Sequence, residues 1–138
     1  SCTVPAKGSP TFKIADDEIE FGVGIHGEPG IAREKMQSAS ELAYRMVEAI
    51  AADLPYVAGN EVALMVNGLG NTPLQELYLL NNSVTQELEA RELKIYRTFV
   101  GNYMTSIDMA GASVTLLKLD DELKALLDAP ADTPALKV

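Results

Sequence analysis

The 138-residue chain has one cysteine, one histidine and no tryptophan, and its 20 acidic residues outnumber 11 basic ones. The single thiol, Cys2, cannot form an internal disulfide, which is typical of proteins from the reducing cytoplasm. A net charge of −9 without a Lys/Arg cluster excludes a surface for the phosphate backbone of nucleic acids. No apolar run approaches the roughly 20 residues that cross a bilayer. We therefore expect a cytoplasmic protein that binds neither nucleic acid nor membrane.

The length and the apolar share of 47% fit one compact domain with a hydrophobic core. Pro5, Gly8 and Pro10 argue against any regular element in residues 1–10, which we interpret as a connector from a missing amino-terminal domain. Residues 11–130 form the predicted domain, and 131–138 form a tail. Because the chain starts at Ser1 without methionine, we expect it to be a fragment or a processed product.

Two strand-like runs, at residues 11–14 and 18–23, flank an acidic turn at 15–17 and predict a β-hairpin. In the second run Ile19, Phe21 and Val23 alternate with Glu18, Glu20 and Gly22, and this period of two predicts one buried face.

The rest of the chain alternates between helical and strand patterns. The first predicted helix is capped by Ser38, with Glu41 completing a capping box, and ends near Leu54. A strand at 61–69 follows, and then a helix that is capped by Thr72, has Pro73 at its first position and ends near Glu92. Strands at 95–100 and 112–119 precede a short helix after Asp120, with Leu123, Leu126 and Leu127 facing inward. We place Leu74, Leu77, Tyr78, Leu80, Val84 and Leu88 on the apolar side of the second helix. The order predicts an α/β (α+β-like), two-layer fold, with a mixed sheet of about five to six strands and helices mainly on one face.

His26 is the residue type best suited to chemistry, since a neutral imidazole can act as a nucleophile or a general base. Glycines at 24, 27 and 30 let the backbone turn tightly and allow a ligand to approach, and Glu28 can orient the imidazole ring. Residue type and spacing alone favour the ordinary alternative, a hydrogen-bonded loop histidine. No second histidine or cysteine cluster supplies ligands for a metal.

Three other features have ordinary structural interpretations beside functional ones. Residues 67–73 place two glycines before a helix, as in phosphate loops, but lack the Lys-Ser/Thr pair of a P-loop, so a strand-to-helix turn is the alternative. Residues 101–106 carry polar groups for a pocket or a structural turn. Asp120 and Asp121 suit a cation or a helical first turn. Cys2 has no nearby base and is interpreted as a bystander.

Four stretches in fixed order resemble one family. They are Gly-Ile-His-Gly-Glu-Pro-Gly at 24–30, Val-Asn-Gly-Leu-Gly-Asn-Thr-Pro-Leu-Gln-Glu-Leu-Tyr at 66–78, Val-Gly-Asn-Tyr-Met-Thr-Ser-Ile-Asp-Met-Ala-Gly at 100–111, and Thr-Leu-Leu-Lys-Leu-Asp-Asp-Glu from 115 towards 130. The chain resembles the second of two domains in the substrate-binding subunit of dihydroxyacetone kinases, and its first five residues resemble the preceding connector.

The resemblance implies that His26 forms a covalent hemiaminal with the carbonyl carbon of dihydroxyacetone, and that Gly24, Gly27 and Glu28 shape the substrate loop. It also implies a homodimeric subunit whose bound substrate accepts a phosphoryl group from a separate helical nucleotide-binding subunit or domain. That partner carries ATP, or an ADP rephosphorylated by a phosphotransferase protein, with Mg; no cofactor is expected in this chain.

The family's acid/base residues lie in the first domain and have no match in this sequence. We therefore expect the chain alone to lack kinase activity and to capture substrate weakly at most. Two alternatives remain: a non-catalytic dihydroxyacetone sensor that activates a transcriptional regulator, and a structural dimerisation domain.

Overall fold

A computed structural model describes residues 3–10, 12–25 and 28–138. In chain order the elements are β1 (Thr3–Val4), β2 (Ser9–Pro10), β3 (Glu18–Phe21), β4 (Ala32–Lys35), α1 (Ala39–Asp53), β5 (Glu61–Gly68), α2 (Leu74–Ala90), β6 (Lys94–Gly101), β7 (Ala112–Lys118) and α3 (Asp121–Leu127).

The centre of the domain is a mixed three-stranded sheet in the order β6-β5-β7. The middle strand, β5, pairs with β6 in parallel, from Glu61 opposite Lys94 to Asn67 opposite Gly101. It pairs with β7 in antiparallel orientation, from Val62 opposite Lys118 onward. The continuous apolar run at 62–66 predicted this central strand, because an apolar run without alternation is typical of a strand with both faces buried. Successive residues Val62, Ala63 and Leu64 are indeed all buried.

Helices α1 and α2 cover one face of the sheet and enclose the hydrophobic core. Its fully buried members include Val47 of α1, Leu64 and Val66 of β5, and Leu77 and Val84 of α2. The period-3.6 spacing of the apolar residues in both helices directs them to one face. Ser38 and Glu41 form the predicted capping box before α1.

The predicted α/β class with two layers is confirmed. The strands are distributed differently from the expected single sheet, since the described residues form a three-stranded sheet and two separate antiparallel pairs, β1-β2 and β3-β4. The pair β1-β2 also shows that residues 3–10 of the predicted connector contain regular structure, contrary to expectation. A bond from the Thr3 amide to the Asp108 carboxylate, 2.8 Å long, ties β1 to the loop after β6.

The predicted hairpin between residues 11–14 and 18–23 is wrong. Of the first predicted run, residues 12–14 are not a strand and Thr11 lies outside the described residues. β3 pairs instead with β4, a strand that was not predicted from the sequence. The pairing is favoured by charge, because Glu18 lies opposite Lys35 and Glu20 opposite Arg33, with an Arg33–Glu20 ion pair at 2.8 Å. All four β3 residues are half-buried, so the predicted single buried face is also wrong.

Three details of the helices differ from prediction. Thr72 does not cap α2; Pro73 occupies the cap position, and the Thr72 hydroxyl bonds instead to the backbone of Gly111. Leu74 and Tyr78 are more than half exposed and lie off the buried side of α2. Leu126 is 65% exposed, so α3 does not direct all of its leucines inward.

Within the described ranges, none of the helices has both the length and the apolar character needed to cross a membrane. Residues 131–138, predicted as a tail, fold back on themselves through reciprocal backbone hydrogen bonds between Ala131 and Val138. Beside them lie Phe99 and Tyr103, whose rings meet edge to face.

Candidate functional site

The loop between β3 and β4 holds the residues that the sequence singles out. His26 and Gly27 lie outside the described residues, and so does Cys2. The described parts of the loop define its base, where the Ile31 amide donates to the Phe21 carbonyl over 2.8 Å. Gly22 follows Phe21 with a φ of +77°, a conformation that favours glycine. The chain therefore leaves β3 through a sharp turn and returns beside the same residue.

Gly24 and Glu28 close a narrower turn within this loop. The Gly24 amide donates to the Glu28 carbonyl over 3.1 Å. The Glu28 side chain folds back over Gly24, so a Cβ on residue 24 would lie 2.8 Å from the Glu28 Cβ and 2.7 Å from its Cδ. The overlap involves the Cβ of residue 28, so rotating the end of the glutamate does not relieve it. The structure thus brings together two of the predicted substrate-loop residues, Gly24 and Glu28, which flank residues 25–27 in the sequence.

A second group of motif residues lies at the carboxyl ends of β5 and β6. Asn67, only 2% exposed, uses its whole side-chain amide there. Its Nδ2 donates to the Met104 carbonyl (2.8 Å) and the Ser113 hydroxyl (3.2 Å), and its Oδ1 accepts from the amides of Tyr103 and Met104 (both 2.8 Å). The loop after β6 is therefore held to the end of β5 by one buried side chain.

The turn after β5 is interlocked with the same loop. The Ser106 hydroxyl donates to the Leu69 carbonyl over 2.6 Å and accepts from the Met109 amide over 3.0 Å. The Thr72 hydroxyl donates to the Gly111 carbonyl and accepts from its amide, both over 2.8 Å. These bonds engage polar groups that a phosphate loop or polar pocket would present to a ligand, which favours the structural-turn interpretation of both segments.

Asp120 and Asp121 have structural partners. Asp120 accepts from the Leu123 amide as the cap of α3, and Asp121 pairs with Lys124 at 2.9 Å. Lys124 also bonds to Glu61, and hydrogen bonds to Glu61 and Asp121 raise the pKa of its ammonium group. Across the part of the chain that is described, no three His, Cys, Asp or Glu side chains form a group suited to a metal ion.

Two residues were not predicted from the sequence: Asn67, which holds the loop after β6, and Arg45, which contacts the β3-β4 hairpin. An asparagine directly after an apolar strand was the available signal for Asn67. No pattern within helix α1 indicated the role of Arg45, because its partners lie on other elements. They are Glu34 on β4, Gln37 in the connecting segment, and the ring of Phe21 on β3.

Comparison with known proteins places this geometry in a family. Residues 1–135 match the Dak1 domain, and the chain belongs to that family. It is 47% identical over 135 residues to the dihydroxyacetone-binding subunit DhaK of a PTS-dependent dihydroxyacetone kinase from Listeria innocua, which covers 97% of this chain and 41% of that protein. The chain thus spans less than half the length of this relative.

Two solved structures share the fold. The dihydroxyacetone kinase operon co-activator Dha-DhaQ superimposes with a TM-score of 0.84 at 37% identity, covering 94% of this chain and 40% of its own. The dihydroxyacetone kinase of C. freundii, solved in complex with AMP-PNP and Mg²⁺, superimposes with a TM-score of 0.71 at 28% identity, covering 92% and 23%. The predicted family resemblance is confirmed.

Proposed function

We propose that this domain contributes one half of a dihydroxyacetone-binding site and that His26 anchors the substrate covalently. The observation that carries the proposal is the Dak1 match over residues 1–135, which includes the Gly-Ile-His-Gly-Glu-Pro-Gly motif. The hydrogen-bonded turn closed by Gly24 and Glu28 supports the proposal, because a nucleophile in a loop needs a fixed backbone on both sides.

The covalent step is an addition that releases nothing. An imidazole nitrogen of His26 forms a bond to the carbonyl carbon of dihydroxyacetone, the carbon–oxygen π bond breaks, and the proton lost from the imidazole ends on the new hydroxyl oxygen. Only aldehydes and ketones undergo this addition, so glycerol is rejected despite its similar size and hydroxyl groups. The terminal hydroxyl stays free to attack a phosphorus atom.

Phosphoryl transfer needs groups beyond this chain. The substrate hydroxyl oxygen forms a bond to the terminal phosphorus of the donor, the bond from that phosphorus to its leaving oxygen breaks, and a base accepts the hydroxyl proton. We propose that the base belongs to a preceding domain of the subunit. A separate helical subunit or domain carries the donor nucleotide with Mg, in an ATP-dependent or a phosphotransferase-dependent system.

The same proposal includes a cytoplasmic homodimer and the division into a connector (1–10), a domain (11–130) and a tail (131–138). A chain with one cysteine needs no oxidising compartment for folding.

Intact-mass spectrometry of the full-length protein after incubation with dihydroxyacetone tests the covalent step. A hemiaminal adds the full mass of one dihydroxyacetone, whereas an imine on a lysine would add that mass less one water. The adduct should be absent with glycerol and absent from His26→Ala. A His26→Ala variant with unchanged affinity and unchanged selectivity over glycerol would refute the assignment.

A second candidate function is a dihydroxyacetone sensor that activates transcription. The likeness to the operon co-activator favours it, with its TM-score of 0.84. A sensor can keep the histidine and lack the acid/base residues of the kinase. Turnover of dihydroxyacetone by the full-length protein with a nucleotide-bearing partner supports the kinase; binding without turnover, together with contact to a regulator, supports the sensor.

A further inference from the structure

The β3-β4 hairpin has little hydrophobic core of its own. Every β3 residue is half-buried, and in β4 half-buried residues alternate with exposed ones. The buried core cluster consists of residues from α1, α2, β5 and β7 together with Leu93, and neither hairpin strand, both fully described, contributes to it. Segments with few buried apolar contacts open at low free energy, so other contacts must fix the position of this hairpin.

Arg45, on the second turn of α1, makes contacts of this kind with both strands. Its two terminal nitrogens grip the two carboxylate oxygens of Glu34 on β4, at 2.8 and 2.9 Å. The carbon at the centre of its guanidinium lies 4.3 Å from the centroid of the Phe21 ring on β3. Forked pairing and stacking on a ring both use the planar geometry of arginine, which lysine lacks.

Gln37 completes the arrangement in the segment between β4 and α1. Its Oε1 accepts from Arg45 at 3.0 Å, and its Nε2 donates to Glu34 at 2.9 Å. Each of the three polar side chains is thus bonded to the other two. Such a closed network has fewer alternative geometries than a single surface ion pair.

The contacts lie directly at the base of the loop that contains His26 in the sequence. Phe21, under the guanidinium, is the last residue of β3, and its carbonyl accepts from Ile31 where the loop returns. A change in the positions of Phe21 and Glu34 relative to α1 therefore moves both ends of the loop together.

We propose that Arg45 is a positioning residue for substrate capture: it docks the β3-β4 hairpin onto α1 and so holds the described ends of the intervening loop, residues 22–25 and 28–31. The role in capture rests on the proposed function, whereas the docking does not. Arg45 does not touch the substrate; it acts through Phe21 and Glu34.

Amide hydrogen exchange of the chain tests the docking. Arg45→Met keeps an apolar side chain over Phe21 and removes the fork. We expect exchange in β3 and β4 to accelerate roughly tenfold, as for the loss of a half-buried forked pair and a cation–π contact, with exchange in β5 unchanged. Arg45→Lys, which keeps the charge without the fork, should fall between Arg45→Met and the unsubstituted chain.

Arg91→Met is the matched control. Arg91 is 25% exposed against 28% for Arg45, it pairs with Glu87 and Glu48, and its guanidinium lies 5.7 Å from the Tyr44 ring centroid. Arg91→Met therefore removes the same kinds of contact, but between α1 and α2 and away from the hairpin. We expect no acceleration in β3 or β4. Glu34→Ala should act like Arg45→Met, and the double variant should be non-additive.

Adduct formation at sub-saturating dihydroxyacetone, measured by intact mass in the full-length protein, tests the role in capture. Arg45→Met should reduce the adduct severalfold, and Arg91→Met should not. Unchanged hairpin exchange in Arg45→Met overturns the docking. Faster exchange with an unchanged adduct overturns the positioning role. No adduct in the unsubstituted protein overturns the proposed function and the role in capture with it, while exchange still decides the docking.

Discussion

Replacing Asn67 by alanine removes four hydrogen bonds at once from the junction of β5 and the loop after β6. Two run from its Nδ2 and two arrive at its Oδ1, all between 2.8 and 3.2 Å. A hydrogen bond contributes about 1 kcal/mol net, and water can replace part of the loss because Met104 is exposed at the surface. We expect Asn67→Ala to lower the free energy of unfolding by about 3 kcal/mol.

Urea unfolding followed by circular dichroism measures this loss, with the midpoint and slope fitted separately so that a change in the unfolded state is recognised. Asn102→Ala is the matched control, because Asn102 is an exposed asparagine of the same loop. We expect its free energy of unfolding to change by no more than about 0.5 kcal/mol. Equal effects of the two substitutions would refute the assignment of Asn67 as the residue that holds the loop.

Three further variants test separate parts of the structure. Gly24→Ala should abolish adduct formation and leave the unfolding midpoint nearly unchanged, because its Cβ meets Glu28 only in the loop. Ser38→Ala should lower the free energy of unfolding by about 1 kcal/mol in urea titration, since it removes the α1 cap. The hydrogen bond to Asp128 raises the pKa of Tyr96. The bond's contribution to folding stability is therefore present below the pKa of about 10 of the unfolded chain, and it is lost as pH rises through the pKa of the folded protein. Asp128→Asn should lower the pKa of Tyr96 in an ultraviolet phenolate titration.

The sequence predicted the elements whose signals are local. Ser38 and Glu41 stand three residues apart before an apolar helix, and the capping box forms as expected. The apolar run after Glu61 predicted β5 within one residue of its end. In both cases short-range geometry and burial agree, so a stretch of a few residues contains the information.

The hairpin could not be predicted in the same way, because its pairing depends on residues separated by a long loop. Residues 11–14 looked like the partner of β3 since they are close in sequence and β-prone. The structure instead pairs β3 with a strand of two basic residues alternating with Ala32 and Glu34. Closing a loop of ten residues instead of three costs about 1 kcal/mol more, and two cross-strand charge pairs can offset that difference.

The motifs that reveal the family divide by what their residues contact. Those at 66–78 and 100–111 contact mainly one another: Asn67 holds Tyr103 and Met104, and Thr72 holds Gly111. These contacts explain why those residue types are needed for the fold. The glycine-rich motif at 24–30 differs, because Gly24 and Glu28 meet in a loop outside the buried core cluster. Substitutions in the motifs at 66–78 and 100–111 should therefore reduce folding stability before they affect substrate recognition. Substitutions at Gly24 or Glu28 should affect substrate recognition before folding stability.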